Sequence, residues 1–119
     1  MNYMFYECQS LIHIDLSNFN AKNVTNTSCM FYGCKSFTSI DLSNFNTQNV
    51  KLMCRMFWGC NSLTNIDISN FNTQNVTHMN NMFNECYYII NIDLHNFNTQ
   101  NIIDIRYIFY ACNSLIKEI

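Results

Sequence analysis

Cysteine returns every 26 residues, at Cys8, Cys34, Cys60, Cys86 and Cys112, and most of the chain returns with it. Asp15, Asp41, Asp67 and Asp93 keep the same step. So do two phenylalanine files, Phe5, Phe31, Phe57, Phe83 and Phe109, then Phe19, Phe45, Phe71 and Phe97. A period of this length means one small unit repeated, each copy burying its apolar side against the next. The 119 residues hold about 4.5 such units, which predicts a single domain over 1–119 with partial repeats at both ends.

One unit, read from Asn49, shows why the pattern suggests structure. Val50, Met53, Phe57 and Cys60 fall at i, i+3, i+7 and i+10, the spacing of one face of a short helix. Asn49 stands where an N-cap belongs. Glycine precedes the file cysteine at Gly33 and Gly59, but Glu7, Glu85 and Ala111 fill that column elsewhere, which argues against a left-handed backbone there. Leu63, Ile66 and Ile68 then alternate inward as in a short strand, with Asp67 and Ser69 outward. Asn70 to Asn75 return the chain through an amide-rich bend with Phe71 turned inside.

Stacking such units predicts an α/β solenoid: a parallel sheet on one side, short helices on the other and right-handed crossovers. Both phenylalanine files and the cysteine file belong to its interior, and Asn44, Asn70, Asn96 and Asn46, Asn72, Asn98 to amide ladders along the bends.

Met30-Phe31-Tyr32-Gly33-Cys34 and Ile40-Asp41-Leu42-Ser43-Asn44-Phe45-Asn46-Thr47-Gln48-Asn49-Val50 resemble the 26-residue repeat of bacterial surface proteins and lipoproteins, linked to the BspA-like leucine-rich repeats. The likeness runs the length of the chain; Thr27, Ile108, Tyr88 and His95 depart from the pattern. It implies a leucine-rich-repeat fold, an exposed adhesion or interaction role at the cell surface, and no catalytic residues.

Composition narrows the function classes. Hydrophobic residues make up 49% of the chain and aromatics 15%, enough for a core, while charged residues reach only 12% and the net charge is −2. No basic stretch exists to gather phosphates, which argues against a nucleic-acid partner. No apolar run approaches the ~18 residues of a membrane span. Proline is absent and the two glycines sit inside repeats, so there is no linker. Met1 occupies the column of Met53 and Met79, so the chain begins inside a repeat without an export signal. A removed signal, a longer array and an intracellular protein all fit that start.

The chemistry-bearing residues read mostly as structure. The file cysteines fall on an inward face, where Cys acts as a small hydrophobe, and their spacing supplies no zinc set. Cys29 and Cys54 lie off the file in adjacent columns, where a diagonal disulfide is one reading and two thiols the other. Asp15, Asp41, Asp67 and Asp93, with Ser17, Ser43, Ser69 and His95, form the candidate binding face. That acidic row is either hydrogen-bonded and solvated or a weak site for Ca²⁺ or a cationic ligand. His13, His78 and His95 occupy three different columns, no phosphate loop is present, and the carboxylates are uniform, so no enzyme is expected and no cofactor. Tripeptides such as Asn75-Val76-Thr77 fit a glycosylation acceptor by chance in so Asn-rich a chain, and the Thr47, Thr73, Thr99 file is a weak imitation of an ice-binding array.

The expected function is a non-catalytic scaffold that binds a protein or glycan through the regular sheet face. The alternative is end-to-end self-association into filaments through unpaired edges. Lys117 and Glu118 stand against the alternative, since Glu118 takes the column of Ile14, Ile40, Ile66 and Ile92.

Overall fold

The columns expected inside are buried in the middle layers, but the backbone that carries them is not helical. The computed structural model describes residues 1–116; Lys117 and Glu118, with their expected edge-blocking role, lie outside that range. Val50, Met53, Phe57 and Cys60 are all at most 1% exposed. Between them Met56 is equally buried, although a helix with that face would point it sideways.

Alternation of hydrogen bonds explains the difference. The N–H groups of Thr27, Cys29, Phe31 and Gly33 donate to the carbonyls of Leu52, Cys54, Met56 and Trp58, one repeat onward, at 2.7–2.9 Å. The N–H groups between them close local turns, Met30 to Thr27, Tyr32 to Cys29 and Cys34 to Phe31. Met53, Arg55, Phe57 and Gly59 repeat the outward set onto His78, Asn80, Met82 and Asn84. Every second donor is thus spent on the neighbouring layer, where a helix would spend all of them internally.

This zigzag needs the chain to reverse hand every fourth residue. Cys29 and Gly33 have φ of 57° and 70°, and the pair recurs at Tyr3 and Glu7, Arg55 and Gly59, Asn81 and Glu85, Tyr107 and Ala111. The column judged against a left-handed backbone is therefore left-handed in all five repeats. Each non-glycine residue there costs about 1–2 kcal/mol. The cross-layer hydrogen bonds and the burial they allow offset it.

The opposite side departs from expectation for another reason. Of the strand over Leu63 to Ser69, only Asn65 pairs, as an isolated parallel bridge to Asn91. Asn26, Leu52, His78 and Asp104 form three more such bridges. Thr64 N–H reaches the Thr38 carbonyl and Ile90 N–H the Thr64 carbonyl. Beyond them, side chains capture the backbone groups that a sheet would use: Asp67 Oδ1 accepts Ser69 N–H at 3.0 Å, and the Asn70 amide donates to the Ser43 carbonyl at 2.7 Å. The first bond is local and the second crosses layers, and together they take up groups that a strand ladder would pair. Among the described residues there is no helix and no strand longer than one bridge. The α/β, leucine-rich-repeat-like solenoid with a parallel sheet and helices is therefore overturned.

What forms is a body of layered turns, 34 × 29 × 20 Å, held around one aromatic interior. Phe5, Phe31, Phe57, Phe83 and Phe109 stack nearly parallel, with centroids 5.4–5.8 Å apart. Phe19, Phe45 and Phe71 pile at 5.8 and 6.2 Å, and Phe97 packs on the same core. Each pair adds about 0.5–1.5 kcal/mol beyond its buried area. In the outer layers Phe5, Phe19, Phe97, Phe109 and Cys8 are only partly buried.

Candidate functional site

Each aspartate of the acidic row accepts a hydrogen bond from within the protein. Asp15, Asp41 and Asp67 each accept the backbone N–H two residues on, from Ser17, Ser43 and Ser69, at 2.9–3.0 Å. Asp93 does the same with His95 and also touches the His95 ring. These are Asx turns. The serine hydroxyls and N–H groups hold the three carboxyls below their ordinary range, and for Asp93 the His95 N–H does so first. All eight candidate residues of this face are exposed. Two depressions follow the row, one of about 170 Å³ at His13, Asp15, Ser17, Asp41 and Ser43 and one of about 580 Å³ at Asn91, Asp93 and His95. Among the described residues no three His, Cys, Asp or Glu side chains gather as a metal would require.

The amides and threonines beside this row tie layer to layer. Asn44, Asn70 and Asn96 donate to the carbonyls of Ser17, Ser43 and Ser69. Asn49, the expected N-cap, instead reaches back to the Lys22 carbonyl at 2.7 Å, and Asn75 and Asn101 copy it. Asn46, Asn72 and Asn98 cap their own turns rather than laddering with one another. Thr47 and Thr73 are buried, each donating to the carbonyl and accepting from the N–H of the asparagine 25 residues ahead. Thr99 alone of this file is exposed, and one hydroxyl is no array for ice.

The cysteine file also has a structural task. Cys34, Cys60, Cys86 and Cys112 each donate their thiol to the phenylalanine carbonyl 29 residues earlier, at 3.0–3.2 Å. Burial pushes Cys34 up to about 12 and Cys112 to about 11, and raises Cys60 and Cys86 well above the ordinary thiol range. Such thiols hold no thiolate at neutral pH and are poor nucleophiles. All seven cysteines are free, Cys29 and Cys54 included, so the diagonal bridge is not made.

The surface that sequence reasoning missed lies over the left-handed turns. There Tyr6, Tyr32, Trp58, Asn84 and Tyr110 occupy one 26-residue column and Tyr3, Cys29, Arg55, Asn81 and Tyr107 another. Tyr6 stacks on Tyr32 at 4.8 Å, Tyr32 meets Trp58 at 5.5 Å, and the Arg55 guanidinium sits 5.5 Å over the Trp58 ring. Tyr107 and Tyr110 meet edge to face at 6.0 Å. Asn84 interrupts the file. Trp58, Asn81, Asn84, Glu85, Tyr107 and Tyr110 line a cleft of about 370 Å³ at the interruption. The signal was legible as a recurring aromatic column, but a helix template assigns positions 32 and 58 to a solvated face and passes over them.

Comparison with known proteins adds a family and no activity. The family described as Mycoplasma protein of unknown function, DUF285, matches residues 1–119. No curated protein and no solved structure matches the chain.

Proposed function

We propose, from the premise that this chain belongs to the DUF285 family, that it is a non-catalytic interaction module of a cell surface, binding a protein or glycan. The contact surface is the aromatic file over the left-handed turns. The observation that carries this reading is the contrast between the two faces. Aspartates, asparagines and threonines of one make bonds that brace the protein's own turns and layers, while Tyr6, Tyr32, Arg55, Trp58, Tyr107 and Tyr110 lie along the surface of the other. Tyrosine, tryptophan and arginine are the residues that concentrate binding energy at interfaces. The long bacterial surface-repeat likeness supports the compartment, and no helix of the described residues is long and apolar enough to cross a membrane.

The test is a glycan and matrix-protein array probed with the 119-residue chain and two double variants. Tyr32→Ala with Trp58→Ala loses the captured ligand, whereas Asp41→Asn with Asp67→Asn, which keeps the Asx turns, retains it. Loss in the aspartate variant alone returns the binding role to the acidic row.

One observation favours a second reading, end-to-end association of copies. Each layer donates N–H groups to the next at a fixed 25-residue offset, and the outer layers leave Tyr3, Met4 and Tyr6 on one side and Ile103, Ile105 and Tyr107 on the other well exposed. Stacked in register, Cys8 of one copy meets the Phe109 carbonyl of the next, as Cys112 meets that of Phe83. Light scattering separates the two readings, because particles that grow with concentration support assembly and a constant monomer excludes it.

A further inference from the structure

The aromatic file is broken at one layer, and the break is shaped. Along the column, Tyr6, Tyr32 and Trp58 stand in successive layers, each ring against the one before. The next layer has Asn84 and the one after it Tyr110. Successive layers here lie 5.4 and 5.8 Å apart, as the inner rings of Phe57, Phe83 and Phe109 show. Replacing one ring by a short amide therefore leaves a slot about one ring thick, with Trp58 on one wall and Tyr110, braced by Tyr107, on the other. The volume of about 370 Å³ falls at the small end of the range for ligand sites.

The floor of the slot is polar and incompletely satisfied. Asn84 is only 5% exposed; its Nδ2 donates to Asn81 Oδ1 at 2.9 Å, while its Oδ1 is buried without any donor among the described residues. An orphaned buried carbonyl of this kind is rare and calls for a partner. Glu85 adds a carboxylate at the margin, and among the described residues nothing cationic lines the cleft.

We propose that this slot binds one neutral pyranose ring, its flat C–H faces against Trp58 and Tyr110 and its hydroxyls on Asn84, Asn81 and Glu85. The inference rests on the reading of the aromatic face as the contact surface and names the ligand it takes. A sugar ring matches the slot in both respects, apolar on its faces and rich in hydroxyl donors on its edge. A proline or phenylalanine ring fits between the walls but brings no donor to Asn84 Oδ1, and an anionic ligand meets Glu85. With so few atoms in contact, a monosaccharide binds on the order of millimolar.

Trp58 is the sole tryptophan, so its fluorescence reports on this slot. The 119-residue chain is titrated with N-acetylglucosamine, glucose and galactose, and in parallel with N-acetylprolinamide. Saturable change with at least one sugar and none with the prolinamide is the expected result. Asn84→Tyr restores the aromatic seen at Tyr6, Tyr32 and Tyr110 in the same column, keeps the reporter and fills the slot; it abolishes the sugar response. A linear or absent response to all three sugars overturns the proposal, as does an undiminished response in Asn84→Tyr or saturation by the prolinamide. A ligand captured on the array by both the parent and Asn84→Tyr sinks the slot while leaving the interaction module standing.

Discussion

The two long sides of this molecule repeat with the same period but enforce it by different means. Over the left-handed turns, the backbone itself links layers, with every second N–H crossing to the next repeat. Over the aspartate side, backbone links are sparse and side chains make the connections, through Asn70, Asn75 and Thr73 and their equivalents. The consequence shows in the residues. Where the backbone does the linking, the surface column is free to hold Tyr6, Tyr32, Trp58, Asn84 or Tyr110. Where side chains do it, Asp41-Leu42-Ser43-Asn44-Phe45-Asn46-Thr47-Gln48-Asn49 recurs almost unchanged. In this chain, monotony marks scaffolding and variation marks the surface available for recognition.

The contrast can be broken from its core outward. Phe57→Ala should have the largest effect, about 3–5 kcal/mol, because its ring lies between Phe31 and Phe83 at 5.4 Å on each side. Phe109→Ala, in an outer and partly buried layer, should lose less. Urea midpoints of the two variants measure the gap, and equal losses would mean that the layers do not share one continuous core.

Next in size is a cut through the side-chain links. Thr73→Val keeps the shape but strands the Asn98 carbonyl and N–H that the hydroxyl serves, for a loss of about 1–3 kcal/mol. On the turn side the comparison sharpens through glycine. Gly33→Ala places a Cβ 3.1 Å from Glu7 Cγ at a φ of 70° and should cost about 1–2 kcal/mol. Glu85→Gly, in the same left-handed column, should stabilise by about 1 kcal/mol. A neutral or negative result for Glu85→Gly would mean that the left-handed turn is not strained.

The smallest effect is titration of the aspartate side. Asp15, Asp41 and Asp67 have carboxyls lowered by their serine partners, and Asp104 is held down to about 2 by Arg106. A lowered carboxyl contributes stability above its unfolded value near 3.9, lost as pH falls through the folded one. Melting temperature should therefore hold down to about pH 4 and decline toward pH 2, modestly, since Asp15, Asp41 and Asp67 are exposed. Asp67→Asn should make the decline shallower, and an unchanged slope would show that its turn gains nothing from the charge.

Sequence reading reached the interior and stopped at the backbone. The phenylalanine and cysteine files were legible because burial leaves a periodic apolar imprint whatever the chain's local path. The helix was misread because Val50, Met53, Phe57 and Cys60 are compatible with any turn that buries them at that spacing. What decides between them is the hand of Arg55 and Gly59, and Arg, Glu and Ala in left-handed columns give no warning. The strand was misread because Asp67 was counted as an outward residue and Asn70 as a rung of an amide ladder, although they are the partners of the backbone groups that a sheet needs. The acidic row was found and a hydrogen-bonded reading of it weighed; the aromatic slot was missed, since it is defined by what Asn84 omits.

The thiol-to-carbonyl contacts carry a consequence for how such a gene can change in length. Every link between neighbours, whether from Phe31 N–H, Asn70 or Cys60, spans a fixed number of residues between 25 and 29. Excising or duplicating any block of 26 codons in the interior leaves each donor opposite an equivalent acceptor. Recombination between copies can thus lengthen or shorten the molecule in whole steps without a compensating mutation.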